Sequence, residues 1–211
     1  MQQLCLHVIT DEILQSRFTH QDLTRLCSEG GADFIQFREK RAMSLQQRFA
    51  VAGAMHALCE STQTCKLIIN DDVNLARTID AYGVHLGSHD MDIKSARKIL
   101  GKQMVIGRTI NTLEELDSQK DVSANYFGVG PVFGTKSKTN AASTLGLATL
   151  RRIVQNSPIP IIAIGGIQLD NLEKVLDTGV TGVAVLSNIV LAKDPAEKTA
   201  QFKQILSSRG P

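Results

Sequence analysis

The chain has 211 residues, 43% of them hydrophobic, which is enough to fill one sizeable core and short for two ordinary domains. Its formal charge of +2, with acids and bases interspersed, gives neither the basic stripe of a nucleic-acid binder nor the polybasic flank of a membrane anchor. No apolar run approaches membrane-spanning length, and the apolar start is broken at Thr10 and Asp11, too early for a signal segment. Cys5, Cys27, Cys59 and Cys65 have no CxxC spacing and read as reduced thiols, so the expected compartment is the cytoplasm.

Short β-branched runs recur along the chain with amphipathic stretches between them, the pattern of βα units around a parallel sheet. Strands are predicted at 5–10, 34–38, 66–70, 83–86, 104–108, 126–130, 161–164 and 182–186. Helical apolar spacing covers 20–28, 44–59, 92–100, 147–155 and 171–178, with Thr19, Asp92 and Asp170 as candidate caps. Eight alternating units without a Pro/Gly/Ser-rich linker predict one α/β domain over 1–211, a (β/α)8 TIM barrel, although a doubly wound open sheet alternates similarly. The one long polar connection, 134–145, exceeds an ordinary compact loop and reads as a lid.

Polar residues fall at the C-terminal ends of the predicted strands, where barrel active sites are built. In strand two, period two puts Gln36, Arg38 and Lys40 on one face. Buried unpaired cations are costly, so either an anionic ligand or a nearby acid such as Glu39 or Asp71 must partner them. Strands three and four end in Asn70-Asp71-Asp72 and in a segment reaching Asp90. Neighbouring strands let Asp71 and Asp90 converge, which suits Mg²⁺, an ion that keeps several waters and uses one or two carboxylates; the competing reading is that each caps the following helix. His85 and His89 read as packed or hydrogen-bonded residues rather than zinc ligands.

Strand five supplies Thr109 and Asn111, uncharged groups suited to a heterocycle or hydroxyl. After strand six, Thr135, Ser137 and Lys138 offer hydroxyls and a cation. Gly165-Gly166 after strand seven and Ser187 after strand eight lie where barrels frequently hold phosphate, although a tight turn alone also needs such glycines.

The ordered set QFREK at Gln36, IIND at Ile68, GVHLG at Gly83 followed by Asp90, YFGVGPVF at Tyr126 followed by Thr135, Ser137 and Lys138, AIGGI at Ala163 and VAVLSNI at Val183 resembles the thiamine phosphate synthase family, also called thiamine-phosphate pyrophosphorylase. The resemblance implies an Mg²⁺-dependent transferase that joins hydroxymethylpyrimidine diphosphate to hydroxyethylthiazole phosphate and releases pyrophosphate. It implies diphosphate or pyrimidine contacts from Gln36, Arg38, Lys40, Asn70 and Lys138, with Arg38, Lys40 and Lys138 stabilising the leaving group and Asp71 and Asp90 holding the metal. It places Thr109 near the pyrimidine, and Thr135, Ser137, Gly166 and Ser187 around phosphate groups. No nucleic-acid or membrane partner is implied, and a homo-oligomer is compatible with it.

Members of that family commonly carry arginine at the position of Asp72, glutamine at Ser88, histidine at Asn111 and proline at Gly134. Asp72 either adds negative charge to the diphosphate site or points outward. The alternatives are the related thiazole tautomerase branch, which Gly107-Arg108-Thr109 resembles, and a barrel that binds thiamine phosphates without catalysis.

Overall fold

The computed structural model describes residues 4–118, 123–134 and 143–209. Eight parallel strands close into a barrel in sequence order. They are β1 (Cys5–Thr10), β2 (Phe34–Phe37), β3 (Lys66–Asn70), β4 (Gly83–Leu86), β5 (Val105–Ile110), β6 (Tyr126–Val129), β7 (Ile161–Ile164) and β8 (Gly182–Val185). Closure is direct: β1 pairs with β2 on one side and β8 on the other, with Val8 opposite both Ile35 and Val185. The helices are α1 (His20–Glu29), α2 (Leu45–Thr62), α3 (Val73–Thr78), α4 (Ile93–Leu100), α5 (Leu113–Ser118), α6 (Gly146–Asn156), α7 (Leu169–Leu176), α8 (Ser187–Val190) and α9 (Pro195–Ser208). Among the described residues, no helix is long and apolar enough to cross a membrane.

Strand alternation divides the core in two. Leu6, Val8, Ile35, Phe37, Leu67, Ile69, Val84 and Phe127 pack outward into the large layer shared with the helices. The opposite face contributes Ile9, Tyr126, Ile162 and Ala184 to a small cluster inside the barrel. Both strand faces are therefore buried, which is why the strands read as near-continuous apolar runs.

Several boundaries differ from expectation, each for a local reason. β2 stops at Phe37, the last residue paired with both neighbours, and Arg38 leaves the ladder to meet Asp11. β5 begins at Val105 and extends past Arg108 because Thr109 and Ile110 pair with Gly128 and Val129. β6 ends at Val129, ahead of Pro131, whose nitrogen has no hydrogen to give a ladder. β8 ends at Val185 because Leu186 is already the residue before α8.

Thr19 caps α1 in a reciprocal box with Asp22, and Asp92 accepts from Ser95 N–H at the start of α4. Asp170 is not a cap. It lies in the first turn of α7, where the cap position is Gln168, whose N–H donates to Asn171 Oδ1 at 2.9 Å. Helical spacing did not single out α3, α5 and α8, which at 6, 6 and 4 residues are too short to show a period. It also passed over the 14-residue α9, although Asp194 and Pro195 form a legible start.

Candidate active site

At the C-terminal rim, β3 ends on Asn70 and the chain turns sharply. Asp71 has φ 67°, a left-handed conformation that aspartate tolerates better than most residues, and its N–H donates to the carbonyl of His85 at 2.9 Å. The turn brings the Asp71 carboxylate to Lys40, whose Nζ lies 2.6 Å from Oδ2. On the other side it hydrogen-bonds the carboxyl of Asp90, which also accepts from Gly87 N–H at 2.6 Å. The convergence expected of strands three and four is therefore present.

Two carboxyls in contact resist carrying two charges, and their acidities separate. Burial pushes Asp71 up, but its hydrogen bonds to Asp90 and Lys40, with the Lys40 charge, outweigh that and hold it below the usual carboxylate range. Asp90 goes the other way, raised by burial and then by its hydrogen bond to Asp71. When the pair carries one proton, it sits on Asp90. Such a pair fits a hard divalent cation: two carboxylates supply the protein ligands, and water or substrate oxygens supply the rest. The described residues contain no cluster of three or more His, Cys, Asp or Glu side chains that suggests another kind of metal centre.

The cations of the second strand end are not unpaired. Arg38, half-buried, forms an ion pair with Asp11, which stands immediately after β1, and Lys40 pairs with Asp71 as above. Glu39 turns to the opposite side of the chain, where Arg41 and the ring of the fully buried His20 bind it at 2.5 and 3.2 Å. His20 Nδ1 reaches Thr10 Oγ1 at 2.6 Å, and Thr10 donates to the backbone carbonyl of Gln36 at 3.2 Å. This buried network fixes the strand end that carries Gln36 and Arg38. Sequence reasoning missed Asp11; its position at a strand's C-terminal end was the available signal.

Thr109 is half-buried at the end of β5, with Oγ1 3.0 Å from His85 Nε2, while His85 Nδ1 lies 3.0 Å from Tyr126 Oη. His85 is thus hydrogen-bonded, as expected. Neighbouring Arg108 donates to the carbonyl of Gly87 at 2.8 Å and to that of Ser88 at 3.4 Å, bracing the turn that carries Asp90. Asn111 Nδ2 donates to the Gly130 carbonyl at 2.5 Å, tying the ends of β5 and β6 together.

Asp72 is engaged away from the Asp71–Asp90 pair. Its carboxylate caps α3 by accepting from Leu75 N–H at 2.9 Å, and its other oxygen lies 3.5 Å from Arg48.

Past β7 and β8 opens a cleft of about 450 Å³ lined by Gly134, Gly166, Gln168, Ser187, Asn188 and Lys198, among others. Gly165 and Gly166 have φ 98° and 65°, and a side chain on Gly166 would press on Phe133, so glycine is required on both conformational and steric grounds. Gly166 and Ser187 are brought together as expected; Lys198 adds a cation that strand-end reasoning missed. Thr135, Ser137 and Lys138, and most of the 134–145 connection read as a lid, lie outside the described residues.

A family model described as thiamine monophosphate synthase matches residues 6–189. The chain belongs to this family. It is 42% identical to the thiamine-phosphate synthase of Salinibacter ruber over 198 residues, covering 94% of this chain and 86% of that one. The corresponding enzyme of Methanospirillum hungatei is 36% identical, covering 95% and 97% of the two chains. The solved thiamine phosphate pyrophosphorylase of Pyrococcus furiosus superposes with a TM-score of 0.87 at 36% identity, covering 97% of this chain and 96% of that one. Members of the family are transferases, and a metal-assisted reaction is consistent with the paired rim carboxylates.

Proposed function

We propose that this chain is a single-domain cytoplasmic barrel enzyme, residues 1–211, that joins hydroxymethylpyrimidine diphosphate to hydroxyethylthiazole phosphate, forming thiamine phosphate and pyrophosphate. The observation that carries the reading is the Asp71–Asp90 pair beside Lys40 and Arg38, a cation-ready carboxylate site bordered by two basic groups, in a chain of this family.

In the reaction the bond between the pyrimidine's exocyclic methylene and the diphosphate oxygen breaks, the electron pair leaving with pyrophosphate. The aminopyrimidine ring spreads the resulting positive charge, and the thiazole nitrogen donates its lone pair to close the new C–N bond. Asp71 and Asp90 would hold Mg²⁺, which when bound would supply charge neutralisation on the diphosphate. Arg38, Lys40 and Lys138 act on the same developing charge, with arginine suited to two oxygens at once and lysine to one. Gln36, Asn70 and Thr109 bind the pyrimidine diphosphate, and Thr135, Ser137, Gly166 and Ser187 hold phosphate groups. No protein nucleophile is needed. What remains is to align two substrates and keep water from the cation.

The carboxylate pair supports transfer over thiazole tautomerisation, which moves a proton and needs no diphosphate-binding metal. Asn111, committed to the Gly130 carbonyl, does not titrate near neutrality and is no proton carrier. The test supplies both coupling substrates with Mg²⁺ in one assay and the isomeric carboxythiazole phosphate alone in another. Thiamine phosphate in the first is expected; isomerisation in the second with no coupling in the first would reverse the assignment.

A further inference from the structure

Inside the barrel, below the rim, Tyr126, His85 and Thr109 form a continuous hydrogen-bonded line: Tyr126 Oη to His85 Nδ1 at 3.0 Å, and His85 Nε2 to Thr109 Oγ1 at 3.0 Å. Its lower end is sealed, with Tyr126 only 7% exposed. Its upper end, Thr109, is half-open to the site. Two interior glycines make the room for it. A side chain on Gly107 would come within 2.6 Å of His85 Nδ1 and overlap the Tyr126 ring, and one on Gly128 would lie 2.7 Å from His85 Cε1.

The direction of the line follows from satisfying the buried phenol. Burial pushes the pKa of the Tyr126 phenol well above its ordinary value, so its proton stays on, and among the described residues its hydroxyl bonds only His85. A buried hydroxyl hydrogen without an acceptor is costly, so Tyr126 donates to His85 Nδ1. The imidazole then carries its hydrogen on Nε2 and donates it to Thr109 Oγ1. With one lone pair of Thr109 occupied, and no other hydrogen bond to that oxygen among the described residues, its own O–H is left to point at whatever enters the site.

We infer that Tyr126 and His85 are positioning residues which, by fixing one imidazole tautomer, make Thr109 a hydrogen-bond donor to an acceptor nitrogen of the pyrimidine substrate. The inference rests on the transfer reaction proposed above. Reversing the tautomer would turn His85 Nε2 into an acceptor, draw the Thr109 hydrogen inward and present the substrate with a lone pair instead.

Tyr126→Phe keeps the ring and removes the proton that sets the tautomer. KM for the pyrimidine diphosphate should rise about tenfold, the scale of one misdirected hydrogen bond, with KM for the thiazole phosphate unchanged. Thr109→Val should raise the same KM at least as much, Thr109→Ser should restore it, and the Tyr126→Phe/Thr109→Val double variant should be no worse than Thr109→Val alone. Losses that multiply in the double variant would overturn the relay. Nitrogen chemical shifts of the His85 ring give a readout independent of turnover: hydrogen on Nε2 in the wild type is expected, and hydrogen on Nδ1 would overturn the inference. A wild type that makes no thiamine phosphate would refute the transfer reaction, whereas the ring shifts still decide the tautomer.

Discussion

Replacing His7 by phenylalanine should flatten the acid limb of the stability curve. His7 lies in the middle of β1, 3% exposed, its ring stacked on Phe34 at a centroid distance of 4.3 Å and 5.5 Å from the ring of Tyr126. Burial, and secondarily the nearby His85, lowers its pKa from 6.5 to about 3. The unfolded chain therefore binds a proton here between those values and the folded chain does not. Stability from this group is present above the unfolded pKa and is lost as pH falls towards the folded one, at about 1.4 kcal/mol per pH unit. Between about pH 6.5 and 4.5 that amounts to roughly 2 kcal/mol, the slope being only half developed at the unfolded pKa. His7→Phe preserves the aromatic stack and removes the site of protonation, so the wild-type-minus-variant difference isolates it from the carboxylates titrating over the same range. Urea unfolding of both proteins at half-unit pH steps reads the difference directly. Two curves that stay parallel from neutral pH to pH 4.5 would refute the claim that His7 is held neutral by burial.

Asp72→Ala should cost about 1 kcal/mol of stability through loss of the α3 cap, a Tm decrease of roughly 2 to 4 °C, and leave turnover near that of the wild type. A large loss of turnover without a loss of stability would put Asp72 in the substrate site. Gly107→Ala should destabilise by roughly 2 kcal/mol or more, because the added carbon meets Tyr126 and His85 inside the barrel and the strand backbone is locked on both sides. Calorimetry showing an unchanged Tm would mean that the two rings can move aside.

The strands were legible because burial on both faces leaves an apolar signature that needs no knowledge of partners, and all eight lie within two residues of expectation at either end. The convergence of Asp71 and Asp90 was legible for a topological reason: consecutive strands of a parallel barrel are neighbours. Pairing between distant residues was not. Nothing local in Arg38 or Asp11 says that they meet, and Asp11 read only as the end of an apolar run. Nor does anything local in Tyr126, His85 or Thr109 say that their side chains touch across the barrel. That depended on Gly107 and Gly128 leaving space, and glycine in a strand reads as an absence of side chain until its neighbours are known. Whether Asp72 adds charge to the diphosphate site or points outward was likewise undecidable, since the direction of its carboxylate shows only once Leu75 N–H and Arg48 are placed beside it.

The most direct test of the account is the turnover of Asp90→Asn with both coupling substrates at saturating Mg²⁺. Asparagine can retain the hydrogen bonds to Gly87 and Asp71, so the fold should survive, with a metal-free Tm equal to or above that of the wild type because one carboxyl of a crowded pair is neutralised. Thiamine phosphate formation should fall about 100-fold or more, the scale on which enzymes lose a group that stabilises departing charge. Wild-type turnover by a folded Asp90→Asn protein, or undiminished turnover of the wild type in excess chelator, would contradict the assignment of metal-assisted pyrophosphate departure to this rim.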